Sequence, residues 1–187
     1  MPFVTGETLR SLLERERQLQ IEDAIRITRE VVDGLAYAHA MGVVHRDIKP
    51  ENILLQSGHA VVSDFGIARA VSASGGQQLT QAGMAIGSPA YMSPEQSAGD
   101  QPIDGRADIY SVGCVLYELL VGETPFTGLT PQAMIARHTL EAVPLPHIVR
   151  QTIAPNLEAV ILRALAKAPA DRFHTAEAFG EALDAVA

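Results

Sequence analysis

The sequence predicts a mainly α-helical fold of the α+β kind, in which two short β-hairpins carry one charged loop. Three observations lead there. Apolar residues recur at helical spacing in several long segments. Two brief apolar runs, "NILL" and "AVVSDFG", are separated by Ser57-Gly58-His59, the mark of a hairpin. The stretch "VVHRDIKPENILL" sets an Arg-Asp pair, a lysine, a proline and an asparagine between apolar runs. With 187 residues, 47% of them apolar, the chain can bury one ordinary core, and no repeat or linker divides it.

Taken in order, Ile21, Ile25, Thr28, Val32, Leu35 and His39 fall at steps of three or four, with Arg26, Arg29, Glu30 and Asp33 between them. That is an amphipathic helix ending at Gly42. A short strand is expected at Val43 and Val44, followed by the charged loop and the hairpin. From Ser72 to Gly87 the composition turns to Ser, Gly, Gln and Ala without periodicity, a long loop of the kind that is functional or mobile. Asp108 to Leu120 reads as a buried helix. Thr130-Pro131 supplies an N-cap and a proline at the first helical position, opening a helix towards Leu140. Two more helices are expected, at Leu157 to Lys167 and at Thr175 to Val186, the last with Phe179 and Leu183 four apart.

Charge narrows the function. A net charge of −8 with two lysines, Lys49 and Lys167, argues against a general nucleic-acid or anionic-membrane binder, because both partners reward a basic face. The most apolar run, Ile109 to Val121, is too short to span a bilayer and contains Glu118. The single cysteine, Cys114, cannot form an internal disulfide and reads as a buried thiol in a reducing, cytoplasmic compartment.

The charged loop carries chemistry. Asp47 and Asn52, five apart, and Asp64 on the next hairpin offer oxygen ligands of the kind Mg²⁺ prefers. Phosphoryl transfer needs a metal on the phosphate oxygens, a cation on the γ-phosphate and an acceptor for the hydroxyl proton, and Lys49 stands two residues after Asp47. The bland reading, that Asp47 and Asp64 are turn residues satisfied by backbone amides, is the default for an isolated aspartate.

"HRDIKPEN" (His45 to Asn52), "DFG" (Asp64 to Gly66), "GSPAYMSPEQ" (Gly87 to Gln96), "DIYSVGCVLYELLVGETPF" (Asp108 to Phe126) and "PADRF" (Pro169 to Phe173) occur in order over nearly the whole chain. Together they resemble the catalytic domain of eukaryotic-like (Hanks-type) protein kinases, most closely the bacterial serine/threonine kinases. The resemblance implies ATP and Mg²⁺ as cofactors, with Mn²⁺ as the substitute, and protein substrates bearing Ser or Thr. It casts Asp47 as the catalytic carboxylate, Lys49 as the γ-phosphate contact, and Asn52 and Asp64 as metal ligands. Ser88 stands where the family usually has a Thr bridging Asp47 and Lys49. His45 and Arg46 resemble the spine histidine and loop arginine, Asp108 the buried acid that accepts from the loop backbone, and Glu95 with Arg172 a buried ion pair. Arg46 beside the catalytic Asp is the mark of loops ordered by phosphorylation, which points to Ser72 to Thr80, with Thr80 favoured.

The same resemblance implies that the chain is a C-terminal lobe only, with the hinge at about residues 1–6 and the helical lobe at 7–187. Met1 would be the gatekeeper position, Pro2 and Val4 would face adenine, and Leu54 would floor the pocket. No G-x-G-x-x-G and no strand lysine is present, so the N-terminal lobe is expected to be a missing partner and the chain alone is expected to have little activity. Bacterial relatives often carry a membrane anchor after the kinase domain, which would lie outside these residues. Two other functions stay open: a non-catalytic kinase-like lobe acting as an interaction module, and a small-molecule phosphotransferase. Such phosphotransferases generally lack the segment containing Glu95 and its arginine partner.

Overall fold

The computed structural model describes residues 6–65, 89–99 and 103–187. Val4, with Met1 and Pro2, lies outside the described residues, as do Ser88, the loop from Ser72 to Gly87 with Thr80, and the final glycine of "DFG".

The chain begins with strand β1 (Glu7–Thr8) and helix α1 (Leu9–Glu16), where the Thr8 hydroxyl accepts from the Ser11 amide and caps the helix. Helix α2 (Ile21–Ala40) follows and presents Ile25, Thr28, Val32 and Leu35 to the core, as their spacing predicts. It ends two residues before Gly42, whose φ of 75° is a left-handed turn. Strands β2 (Ile53–Gln56) and β3 (His59–Val62) form the expected hairpin. Its turn is only Ser57-Gly58, both at positive φ, so His59 pairs with Gln56 rather than joining the turn.

The sheet is this one hairpin with β1 added to the free edge of β2, in the order β1-β2-β3. Val43 and Val44 take no part in it among the described residues. The edge is filled instead by Glu7 and Thr8, opposite Leu55 and Leu54. Gly6 permits that approach: a Cβ there would stand 2.3 Å from the Leu55 carbonyl oxygen.

After the short helix α3 (Pro94–Ala98) comes α4 (Gly105–Val121), the axis of the core. Every residue from Ala107 to Val121 is buried, Cys114 included. A helix so largely apolar must be enclosed all round, and the few polar groups it buries, Asp108, Ser111 and Glu118, must find partners there. Helix α2, α6 (Pro146–Val149), α7 (Pro155–Ala164) and α8 (Ala176–Asp184) pack on α4, while α5 (Pro131–Leu140) lies against the turn Pro89–Tyr91 and α3. Among the described residues no helix is long and apolar enough to cross a membrane.

Glu95 of α3 and Arg172 meet as expected, in a bidentate pair at 2.7 and 2.8 Å. Arg172 is fully buried, and its remaining N–H groups donate to the carbonyls of Ala166, Lys167 and Arg106 at 2.8 to 3.0 Å. All five donors are therefore used. Helix α7 stops at Ala164, short of the expected Lys167, and the carbonyls of Ala166 and Lys167 just beyond its end serve the guanidinium.

Two stability predictions follow from these buried groups. Arg172→Ala strands the Glu95 carboxylate and should cost roughly 3–5 kcal/mol in urea unfolding, whereas removing both charges as Arg172→Met with Glu95→Leu should cost clearly less. Equal losses would show that the pair's charge is immaterial. His138 of α5 is buried between Tyr110 and Phe126, with its Nδ1 on the Tyr110 hydroxyl and its carbonyl accepting from Lys167. Burial, then the nearby Lys167 ammonium, push its pKa down from 6.5 to about 4. A depressed folded pKa means the unfolded chain takes the proton first. Stability should thus be complete above pH 6.5 and decline by up to about 3 kcal/mol as pH falls to 4. His138→Gln should flatten that part of the pH profile.

Candidate functional site

The charged loop is held by one buried carboxylate. Asp108, in the first turn of α4, accepts from the His45 amide at 2.8 Å and the Arg46 amide at 2.7 Å. His39, at the end of α2, places Nε2 2.8 Å from the same carboxylate. Gly105 makes room for that imidazole, since a Cβ there would lie 2.6 Å from His39 Nδ1. The N-terminal end of α4 also favours a negative charge at Asp108.

His45 is buried and works through both ring nitrogens. Nδ1 accepts from the Asp47 amide at 3.2 Å and Nε2 donates to the Ser63 carbonyl at 2.8 Å, which fits the neutral ring protonated on Nε2. It thereby ties the loop to the end of β3. Phe65 packs edge-on against its ring at 4.8 Å. Between these anchors Arg46 has φ 69°, an uncommon state for a side-chain-bearing residue, costing about 1 kcal/mol or more. Its amide is fixed by Asp108, and its carbonyl accepts from Gln96 Nε2 at 2.8 Å.

Asp47 emerges from this frame with its side chain 39% exposed. Its Oδ2 receives Lys49 Nζ at 2.8 Å and Asn52 Nδ2 at 3.2 Å, and Asn52 Nδ2 also donates to the Asp47 carbonyl at 2.8 Å. With the Asn52 amide nitrogen committed to Asp47, its oxygen is the atom left for a cation. Asp64, at φ 60°, is exposed, and Ser63 binds the Asn52 carbonyl through both its amide and its hydroxyl. Two side-chain oxygens on adjoining, mutually bonded segments suit a hard cation that keeps water and phosphate oxygens as its other ligands. Among the described residues no group of three or more His, Cys, Asp or Glu side chains could hold a metal by itself.

Of the residues singled out in the sequence, Asp47, Lys49 and Asn52 are thus in mutual contact, and Asp64 is tied to them through Ser63. Leu54 sits in β2 on the sheet face shared with Val61, turned away from the core. Val4 and Ser88 are outside the described residues. Three supporting residues have no role in the sequence reading: His39, Gln96 and Arg10. Gln96 was findable, because Ser93-x-x-Gln96 is a capping box and the Gln96 side chain accepts from the Ser93 amide at 3.0 Å. Arg10 carries no local signal. It donates to Glu51, Glu118 and Tyr91, the last two buried. Burial, then the Glu118 carboxylate, raise the Tyr91 hydroxyl far above its ordinary range, so it keeps its proton and donates it to Glu118 while accepting from Arg10.

The protein kinase domain model matches residues 1–182. The chain is 43% identical to the serine/threonine-protein kinase PknB of Mycobacterium tuberculosis over 177 residues, covering 94% of this chain and 28% of that protein. It is also 43% identical to the serine/threonine-protein kinase pkn3 of Myxococcus xanthus over 194 residues, covering all of this chain and 35% of that protein. The chain thus spans about a third or less of these relatives' length. A crystal structure of a mutant PknI kinase domain from Mycobacterium tuberculosis superposes with a TM-score of 0.72 at 31% identity, over 99% of this chain and 63% of that one.

Asp108→Asn weakens two charge-assisted bonds to the loop backbone, each worth roughly 1.5–3 kcal/mol. Amide hydrogen exchange at His45 and Arg46 should quicken about 10- to 100-fold. A rise no larger than that of the α4 amides would mean that Asp108 supports the whole lobe and not this loop.

Proposed function

This chain belongs to the protein kinase family, and from that premise we propose that it is the helical lobe of a serine/threonine protein kinase, moving the γ-phosphate of ATP to protein hydroxyls. The carrying observation is the meeting of Lys49 and Asn52 on one oxygen of Asp47. Residues 1–6 form the hinge in this reading, and 7–187 the lobe. Val4 and Leu54 contact the nucleotide base, and Ser88 bridges Asp47 and Lys49.

Each role follows from the chemistry of the group. Both observed bonds to the Asp47 carboxylate fall on Oδ2, which leaves Oδ1 to orient a substrate hydroxyl and take its proton. Lys49 sits between that carboxylate and the place of the γ-phosphate, where its charge offsets the negative charge of transfer. Asn52 and Asp64 would hold Mg²⁺, or Mn²⁺ in its place, and the ion would supply charge neutralisation on the phosphate oxygens. The protein's part is positioning, which is most of phosphoryl-transfer catalysis. These 187 residues contain no G-x-G-x-x-G loop and no further lysine but Lys167, so groups that cover the nucleotide must come from another segment. A loop ordered by phosphorylation at Thr80 fits the same reading.

The pair of glutamate and arginine at positions 95 and 172 favours a protein substrate over a small molecule. A purely non-catalytic lobe would have no use for the Asp47, Lys49 and Asn52 contact.

In the natural full-length protein, Asp47→Asn and Lys49→Met should each lower phosphate transfer from radiolabelled ATP to a threonine peptide by about 10²- to 10⁴-fold. Transfer that survives both changes would assign the reaction to other residues.

A further inference from the structure

Helix α3 is only five residues long, yet two neighbouring side chains on it reach two different parts of the fold. Glu95 takes the buried guanidinium of Arg172. Gln96 takes the charged loop, where its Nε2 donates to the Arg46 carbonyl at 2.8 Å. The two ends of the Gln96 amide cannot be exchanged. Its Oε1 accepts from the Ser93 amide at 3.0 Å, and a backbone amide can only donate.

The bond to the loop falls on one particular peptide unit. The Arg46 carbonyl and the Asp47 amide lie in the same plane, and that amide donates to His45 Nδ1 at 3.2 Å. Both polar ends of the peptide that leads into Asp47 are thus held, one by the loop's own histidine and the other by α3. Among the described residues Gln96 is the one donor on that carbonyl. Arg46 sits uphill at φ 69°, so a peptide freed at its carbonyl has a reason to rotate. Rotation changes the φ of Asp47, and with it the direction of the carboxylate.

Gln96 therefore has two separable tasks. Its oxygen completes the capping box of α3, which a glutamate does equally well. Its nitrogen holds the loop, which a glutamate cannot do. We propose that Gln96 is a positioning residue for phosphoryl transfer: through the Arg46 carbonyl it sets the direction of the Asp47 carboxylate, and it makes the seating of α3 a condition for that direction. The inference rests on the kinase reading for its effect on rate, whereas the hold on the peptide can be judged without activity.

The test uses the natural full-length protein. Gln96→Glu keeps an acceptor for the Ser93 amide and loses the donor to Arg46. Its melting midpoint should stay within about 2 °C of the wild type. Its kcat on a threonine peptide should fall about tenfold, while KM for ATP changes by less than about twofold. Hydrogen exchange at the Asp47 amide should quicken about tenfold, and the Ser97 and Gly99 amides, bonded within α3, should keep their rates. Gln96→Lys makes the opposite exchange, keeping a donor and losing the acceptor. It should melt several degrees lower and yet rescue kcat to within about threefold of the wild type. Should Gln96→Glu not fold, Gln96→Met takes its place and is read against Gln96→Lys, since both lack the acceptor and only the donor separates them. Either a wild-type kcat or a wild-type Asp47 exchange rate in the variant without a donor overturns the proposal. So does an equal fall of kcat in Gln96→Lys, which would trace the loss to the stability of α3. If the wild type itself phosphorylates no peptide, the kinase reading fails, and exchange at the Asp47 amide still decides whether Gln96 holds the loop.

Discussion

The functional loop depends on a single buried carboxylate, that of Asp108. Its two oxygens take the amides of His45 and Arg46, and His39 closes the set. Neither amide could be buried unpaired without cost, and neither has a strand or helix partner, so the loop can adopt this course only where such an acceptor waits. The acceptor waits there because α4 is buried on every side and enclosed by the other helices. The loop's geometry is thus inherited from the core.

That helix carries a second buried acid, and the contrast between the two explains how each is satisfied. Asp108 lies in the first turn, where the helix dipole favours a negative charge, and neutral amides with one imidazole suffice around it. Glu118 lies in the last turns, where the dipole opposes a carboxylate, and it is found with a full guanidinium and a phenolic donor. The more unfavourable position has drawn the stronger partners. In doing so it binds α1 and the turn Pro89–Tyr91 to the central helix, as Arg172 binds α3 through Glu95.

Much of this was legible in the sequence, and the remainder was hidden for identifiable reasons. The helices at 21–40, 105–121 and 131–140 announce themselves by apolar spacing or by Thr-Pro punctuation, and the hairpin by Ser57-Gly58. Asp47, Lys49 and Asn52 sit within six residues, so their meeting needs only one tight segment. Helix α1 was readable from Thr8 and the apolar positions Leu9, Leu12 and Leu13, but the resemblance drew attention to the hinge before it. The end of α7 was not readable, because the residues just beyond it give their carbonyls to Arg172, a tertiary partner that helical spacing does not report. Arg10 was the least legible of all: its partners lie 41, 81 and 108 residues away, and no periodicity reports such a pairing.

Two of the left-handed residues, those at the site, show what the frame is for. Arg46 and Asp64 both hold positive φ without being glycine, one before Asp47 and the other the candidate metal ligand itself. Each conformation is uphill and would relax in a free chain. Arg46 is pinned from both ends by Asp108 and Gln96, while the segment of Asp64 is pinned through Ser63 to His45 and Asn52. The strain is held by bonds from the core, so the side chains proposed to meet a substrate are already held in place. For the phosphoryl transfer proposed, in which placement supplies most of the catalysis, a loop held against relaxation is the useful one.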